Sequence, residues 1–72
     1  MTIGERIYKE ALEWEYKRYM EFARDCIHAA RNYMQEGNKR TAAKCINDAA
    51  RATRNAVSPA RSLHRLGWKV NA

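Results

Sequence analysis

Two cysteines and two histidines are the side chains best suited to metal or redox chemistry. Cys26 and Cys45 have no second cysteine close by, and His28 lies on the polar side of its predicted helix, away from Cys26. Zinc sites need ligands at convergent spacing, so we expect no metal. The two cysteines fall within about one turn of the same level in the hairpin predicted below. A disulfide is therefore conceivable, but in a cytosolic chain we expect two small buried thiols.

Acidic side chains could support general acid–base catalysis only if they converged on one point. Four of them instead spread around the first predicted helix: Glu10, Glu13, Glu15 and Glu21. The chain also has no nucleophile elbow, no phosphate-binding glycine loop and no His-Glu-x-x-His motif. A small helical hairpin offers little concavity for a substrate. We therefore expect no enzymatic activity, no cofactor and no small-molecule substrate.

Basic side chains form the most informative pattern. The chain carries 14 Lys+Arg and 8 Asp+Glu, and residues 37–72 hold eight of the basic side chains but one acidic side chain. Recurrence every three or four residues places the basic side chains and one asparagine on a single helical face that continues into the tail. These residues are Arg40, Lys44, Asn47, Arg51, Arg54, Arg61, Arg65 and Lys69. The face suits phosphates, with Asn47 available for a base edge, so DNA, RNA or an acidic protein surface is a candidate partner.

Capping signals predict the helices that carry these side chains. Thr2 and Glu5 form a capping box, after which a helical pattern runs unbroken to Gln35. Gly37 suits the left-handed position after a helix end, and Asn38 can cap the helix that follows. The first helix is therefore predicted to be long and to be followed directly by a tight turn.

Further signals divide the second half of the chain. We predict a second helix over residues 39–57, and Ser58 with Pro59 then marks the start of a short third helix that Gly67 ends. The predicted fold is all-α, an antiparallel hairpin with a long first helix, a shorter second helix, a short third helix and a tail. It forms a single domain over residues 1–72.

The predicted core combines large side chains on one helix with alanines on the other, which lets two helices approach closely. On the first helix we expect Leu12, Tyr16, Tyr19, Met20, Ala23, Cys26, Ile27, Ala30, Tyr33 and Met34. On the second helix we expect Ala42, Ala43, Ile46, Ala49, Ala50, Thr53, Ala56 and Val57.

The first helix is predicted to be longer than its partner, so its first turns need another neighbour. They carry a second apolar face, made of Ile3, Ile7, Ala11 and Trp14. The tail with Trp68, a second copy of the chain or a foreign protein could cover this face, and we predict these five residues as a protein interface. A two-helix core is thin, so we also predict a homodimer or higher oligomer.

The segment from Gly37 to Lys44, Gly-Asn-Lys-Arg-Thr-Ala-Ala-Lys, joins a turn glycine to a basic pair and paired alanines. It resembles the hairpin of small helical regulators carried by temperate phages and virulence islands, the PerC and ANR groups. Those proteins tend to carry a tryptophan shortly after the alanines, where this chain has Cys45 and Ile46. The resemblance implies a non-enzymatic modulator of host transcription that acts through protein contacts or DNA.

The sequence also predicts where the protein is located and what it does. No apolar run approaches the roughly 20 residues of a membrane span, and the start of the chain lacks a signal pattern. We expect a cytoplasmic protein, in the host cell if it is phage-encoded, with no membrane partner. The leading hypothesis is a regulatory or adaptor protein that binds a host protein. A nucleic-acid binder and a purely structural oligomer are the alternatives.

Overall fold

The computed structural model describes residues 2–67, which form two antiparallel helices joined by a short turn. α1 spans Ile3–Gln35 and α2 spans Lys39–Arg65. The Cα atoms extend over 52 × 18 × 14 Å, so the hairpin is a rod. Neither helix contains a stretch both long and apolar enough to cross a membrane. The predicted all-α hairpin is confirmed over these residues.

The start of α1 is held by the predicted cap. The Thr2 hydroxyl accepts a hydrogen bond from the Glu5 amide at 3.1 Å. The same hydroxyl lies 3.2 Å from the Glu5 carboxylate, to which it donates. One of the amides that a helix start leaves without a partner is thereby satisfied, an interaction worth about 1 kcal/mol.

The turn combines a helix end and a helix start in three residues. Gly37 takes a φ of 81°, in the left-handed region that glycine adopts without a steric penalty. Its amide donates to the Met34 carbonyl at 3.1 Å, and the Asn38 amide donates to the Tyr33 carbonyl at 2.8 Å. The Asn38 side chain then accepts from the Thr41 amide at 3.2 Å. Both of the turn signals predicted from the sequence are confirmed.

The predicted break at Ser58 and Pro59 is wrong, because α2 continues through both residues to Arg65. A proline inside a helix removes a hydrogen bond and costs about 3 kcal/mol. Here the cost is offset because Pro59 is itself buried and the packing continues beyond it. Leu63 is fully buried and Leu12 is 8% exposed near the same end of the hairpin. The predicted third helix is the end of α2, and the predicted tail lies outside the described residues.

The helices meet along a seam, which we define as the buried and half-buried residues repeating at alternating spacings of three and four. On α1 the seam is Leu12, Tyr16, Tyr19, Ala23, Cys26, Ala30 and Tyr33. On α2 it is Ala42, Cys45, Ala49, Ala52, Ala56, Pro59 and Leu63. This repeat is typical of helices that pack as a coiled coil. At its centre Ala23, Ala49 and Ala52 form the core cluster, with Cys26 packed against it.

Part of the predicted core lies outside. Ile46 is 54% exposed and Val57 is 44% exposed, while Ile27 and Met34 on α1 are about half exposed. The other predicted residues of α2 that lie outside are Ala43, Ala50 and Thr53. α2 therefore has two adjacent apolar stripes, and the one richer in alanine faces α1 because small side chains permit the closer approach.

The seam makes Ala49 sensitive to an increase in size. We expect Ala49→Leu to lower the free energy of unfolding by about 1–3 kcal/mol, because the larger side chain forces the helices apart. Urea unfolding followed by circular dichroism measures the change. Ala11→Leu, at an exposed position of α1, is the matched control and should be nearly neutral. Equal stability of the two variants would contradict a closely packed alanine seam.

Candidate functional site

The predicted interface residues of α1 form an exposed surface, which we call the N-terminal patch. Ile3 is 80% exposed, Ile7 is 62% exposed and Trp14 is 65% exposed, and Ala11 is exposed with them. Every described residue before Lys9 is exposed, because α1 is longer than α2 and begins beyond the end of its partner. The fifth predicted member, Trp68, lies outside the described residues. The structure therefore places four of the five side chains at one end of the rod, in water.

An arginine lies against the largest side chain of the N-terminal patch. The Arg18 guanidinium lies 5.4 Å from the centre of the Trp14 ring, one helical turn away, in cation–π geometry. Such a contact at an exposed site contributes about 0.5–1 kcal/mol. The contact favours this orientation of the exposed Trp14 ring, which slightly reduces the entropy lost when a partner covers it.

The predicted basic side chains of α2 lie in solvent along the helix. Those within the described residues are Arg40, Lys44, Arg51, Arg54, Arg61 and Arg65, and all six are exposed, as is Asn47 among them. We call them the basic face. Lys69, the eighth predicted residue, lies outside the described residues. Between residues 2 and 67 the ion pair found within 4.0 Å is Lys9–Glu13 on α1, so the basic face carries positive charge without a partner in this part of the chain.

Three arginines of the basic face share one groove in the second half of α2. Arg54, Arg61 and Arg65 line an open groove of about 370 Å³, together with Ser58 and Ser62. Three guanidinium groups and two hydroxyls give this groove donors and positive charge suited to an anionic group. Within the basic face, this groove has the hydrogen-bond donors and positive charge best suited to bind a phosphate or a carboxylate.

Asp48, the acidic residue of α2, lies away from this groove. It is half-buried and lines a second groove, of about 430 Å³, whose other walls include Arg18, Phe22, Arg51 and Asn55. Phe22 is 53% exposed there. The negative charge of α2 thus faces one lateral side of the hairpin, and the groove lined by Arg54 and Arg61 keeps its positive sign.

An exposed apolar surface was missed by the sequence analysis, because its residues were predicted as core. It occupies the lateral side opposite Phe22. A groove of about 350 Å³ joins the two helices there, and it is lined by Met20, Ile27 and Thr53 together with Arg24, His28 and Arg31. Ile46 and Val57 lie on the same stripe of α2 as Thr53. This stripe repeats at the same spacings of three and four as the seam, so periodicity alone does not separate the two.

The cysteines behave as the predicted small thiols. Both are free and half-buried in the seam. Within residues 2–67 no three His, Cys, Asp or Glu side chains lie close enough to hold a metal ion. Partial desolvation in the seam, with the nearby Asp48 carboxylate and the Cys45 and Asp25 side chains, raises the pKa of the Cys26 thiol.

Comparison of the chain with protein-family models, with curated proteins and with solved structures returned no match. The exposed surfaces are therefore the basis for assigning a function.

The raised pKa of Cys26 predicts slow thiol chemistry near neutral pH. The thiolate is the reactive form, and a raised pKa keeps the thiol protonated to higher pH. In a Cys45→Ala variant we expect Cys26 to react with a maleimide more slowly in the folded chain than in denaturant. The folded rate should also rise at higher pH than the unfolded rate. Identical pH profiles in the two states would contradict the effect of the seam.

Proposed function

We propose that this chain is a small, non-enzymatic regulatory or adaptor protein that binds another protein through the N-terminal patch. The observation that carries the proposal is the distribution of large apolar side chains. Within residues 2–67, Leu12 and Leu63 are the large aliphatic side chains that are buried. Nine large hydrophobic side chains are exposed instead: Ile3, Ile7, Tyr8, Trp14, Phe22, Ile27, Met34, Ile46 and Val57. Exposed apolar surface on this scale is typical of interaction proteins.

The N-terminal patch is the best supported of these surfaces for a foreign protein. It includes an exposed tryptophan, and tryptophan is enriched among residues that dominate binding energy. Ile3 and Ile7 flank it on the segment that projects beyond α2, where a partner meets no obstruction from the second helix. The interface would therefore centre on Trp14, with the isoleucines as surrounding contacts.

The regulatory part of the proposal is supported by the resemblance at residues 37–44 and by the shape of the chain. Two helices side by side present open grooves, and an enzyme usually needs a concave site that excludes water. A modulator of host transcription, phage-encoded and working in the host cytoplasm, needs no such site. It needs a surface that a host protein recognises.

Affinity capture tests the proposed function. The tagged chain is expected to retain one specific host protein from lysate after nuclease treatment, and Trp14→Ala is expected to lose most of it. Truncating a central interface tryptophan typically costs 2 kcal/mol or more, about 30-fold in affinity. Phe22→Ala is the matched control, because Phe22 is also an exposed aromatic of α1 but lies outside the N-terminal patch. Equal capture by the two variants would contradict the proposed interface.

A second candidate function, nucleic-acid binding, is favoured by the basic face. The groove of Arg54, Arg61 and Arg65 presents three guanidinium groups with serine hydroxyls beside them. The positive side chains extend along the whole of α2, about 40 Å. Such a row could neutralise several phosphates of DNA or RNA.

Titration with duplex DNA at several salt concentrations tests this second function. Binding through the basic face should weaken steeply with salt, with a slope close to 0.9 per phosphate contacted. Charge reversal at Arg51 and Arg54 should abolish it, while Trp14→Ala should leave it unchanged. Tight binding that is insensitive to salt would argue against this mode, and complete loss of lysate capture after nuclease treatment would favour it over protein binding.

A further inference from the structure

The apolar stripe that the seam leaves outside on α2 has a regular order. We call it the second stripe, and it consists of Ala43, Ile46, Ala50, Thr53, Val57 and Ala60. Five of these residues are exposed and Ala60 is half-buried. The Thr53 hydroxyl donates to the Ala49 carbonyl, 2.5 Å away, so its hydrogen-bonding need is met within the helix. Thr53 can then contribute its methyl group, and the second stripe is apolar along its whole length.

The order of the second stripe is the same from both ends. Outward from the midpoint between Ala50 and Thr53, the next residues are Ile46 on one side and Val57 on the other. An antiparallel copy of α2 centred on that midpoint would pair Ile46 with Val57 and Ala50 with Thr53. Large β-branched side chains would meet each other, and small side chains would meet at the centre, where two helices approach most closely.

α1 repeats this symmetry at the same level of the rod. Ala23, Ala49 and Ala52 share the core cluster, so the midpoint of the second stripe lies level with the region of Ala23. Met20 and Ile27 lie on opposite sides of that level, and both line the groove that joins α1 to Thr53. The same antiparallel copy would therefore bring Met20 against Ile27 of its partner. The side chains of α1 and those of α2 are therefore arranged about the same twofold axis.

The charges beside these apolar side chains allow a second copy. Glu13 and Arg31 lie on the helical stripe of α1 that contains Ile27, on opposite sides of the axis. The antiparallel copy brings Glu13 of one protomer, which pairs with Lys9 of its own helix, within one turn of Arg31 of the other, twice per dimer. Arg24 lines the same groove at the level of the axis, so its long side chain has to extend from the interface into solvent.

We propose that two copies of this chain form an antiparallel four-helix bundle, with α2 packed on α2 through the second stripe and α1 packed on α1 through Met20 and Ile27. The core of one hairpin is thin, and such a bundle adds a second apolar layer to it. The interface differs from the N-terminal patch, so the dimer does not depend on the proposed partner binding. It leaves the N-terminal patch open and borders the groove of Arg54, Arg61 and Arg65, which Val57 of the second stripe also lines.

Sedimentation of the purified full-length chain tests the dimer. We expect a dimer at micromolar concentration and a monomer for Ile46→Glu, because a buried carboxylate opposite Val57 has no partner. Ile7→Glu is the matched control, since Ile7 is equally exposed but outside the second stripe, and it should remain a dimer. A monomeric wild-type chain, or an Ile46→Glu variant that stays dimeric, overturns the proposal. Trp14→Ala should not change the oligomeric state, which separates this test from that of the proposed function.

Exchanging the charges of Glu13 and Arg31 tests how the two copies are aligned along the rod. It leaves the apolar side chains of the interface unchanged. Glu13→Arg and Arg31→Glu should each raise the dimer dissociation constant by about 2- to 10-fold, as expected for exposed ion pairs. The double variant should recover most of the loss. A double variant that dimerises no better than the single variants overturns the antiparallel register.

Spin labels measure the orientation directly. In a Cys26→Ala/Cys45→Ala background, a label at Lys39→Cys lies beside the turn. The antiparallel bundle places the two labels about 40 Å apart along the rod. A parallel arrangement would bring them within about 20 Å of each other, and that shorter distance overturns the proposal.

Discussion

The close approach of two helices along an alanine seam governs the rest of this structure. Small side chains such as Ala23, Ala49 and Ala52 let the backbones come together, but each of them buries little apolar area. The hairpin therefore owes its shape to complementary surfaces, and the apolar area that stabilises it is small. Most of the large apolar side chains remain outside as a direct consequence, and they form the surfaces from which function can be argued.

The two helices expose different kinds of side chain. α1 carries the exposed aromatic side chains and six of the eight acidic residues, while α2 carries the basic face. Because the helices lie side by side, these properties appear on different sides of one rod only 18 Å wide. A partner that recognises apolar surface and a partner that recognises charge would approach from different directions. The chain can therefore present several surfaces with only two elements of secondary structure.

The hairpin is predictable from the sequence because its capping and turn residues act locally. The length of α2 is harder to predict because the local preference of Pro59 competes with its burial. Thr2, Gly37 and Asn38 act on the residues beside them, so the ends of α1 and the start of α2 follow from the sequence. Pro59 was misread because its local preference for a helix start is overridden by burial against α1. The sequence also predicts that α1 is the longer helix, so its first turns extend beyond the cover of α2.

The side of α2 that faces α1 could not be predicted from the sequence. Ile46 and Val57 are more hydrophobic than Ala52, and hydrophobicity alone predicts that they are buried. Helical periodicity identifies both apolar stripes of α2 but does not say which one faces α1. The choice depends on how closely two backbones can approach, which is a property of the pair of helices and not of either sequence segment. The exposure of Ile46 and Val57 therefore follows only from the way the two helices pair.

The overhang of α1 has a consequence for local stability. Its described residues before Lys9 are all exposed, and the cap at Thr2 and the helical hydrogen bonds hold them. Isolated helical turns are marginal in water, so this segment should open at a lower free energy than the seam. Ile3 and Ile7 thus belong to the part of α1 that exchanges its amide protons first. A partner bound there would have to stabilise the helix as well as cover it, and its affinity would be linked to the fraying of the helix end.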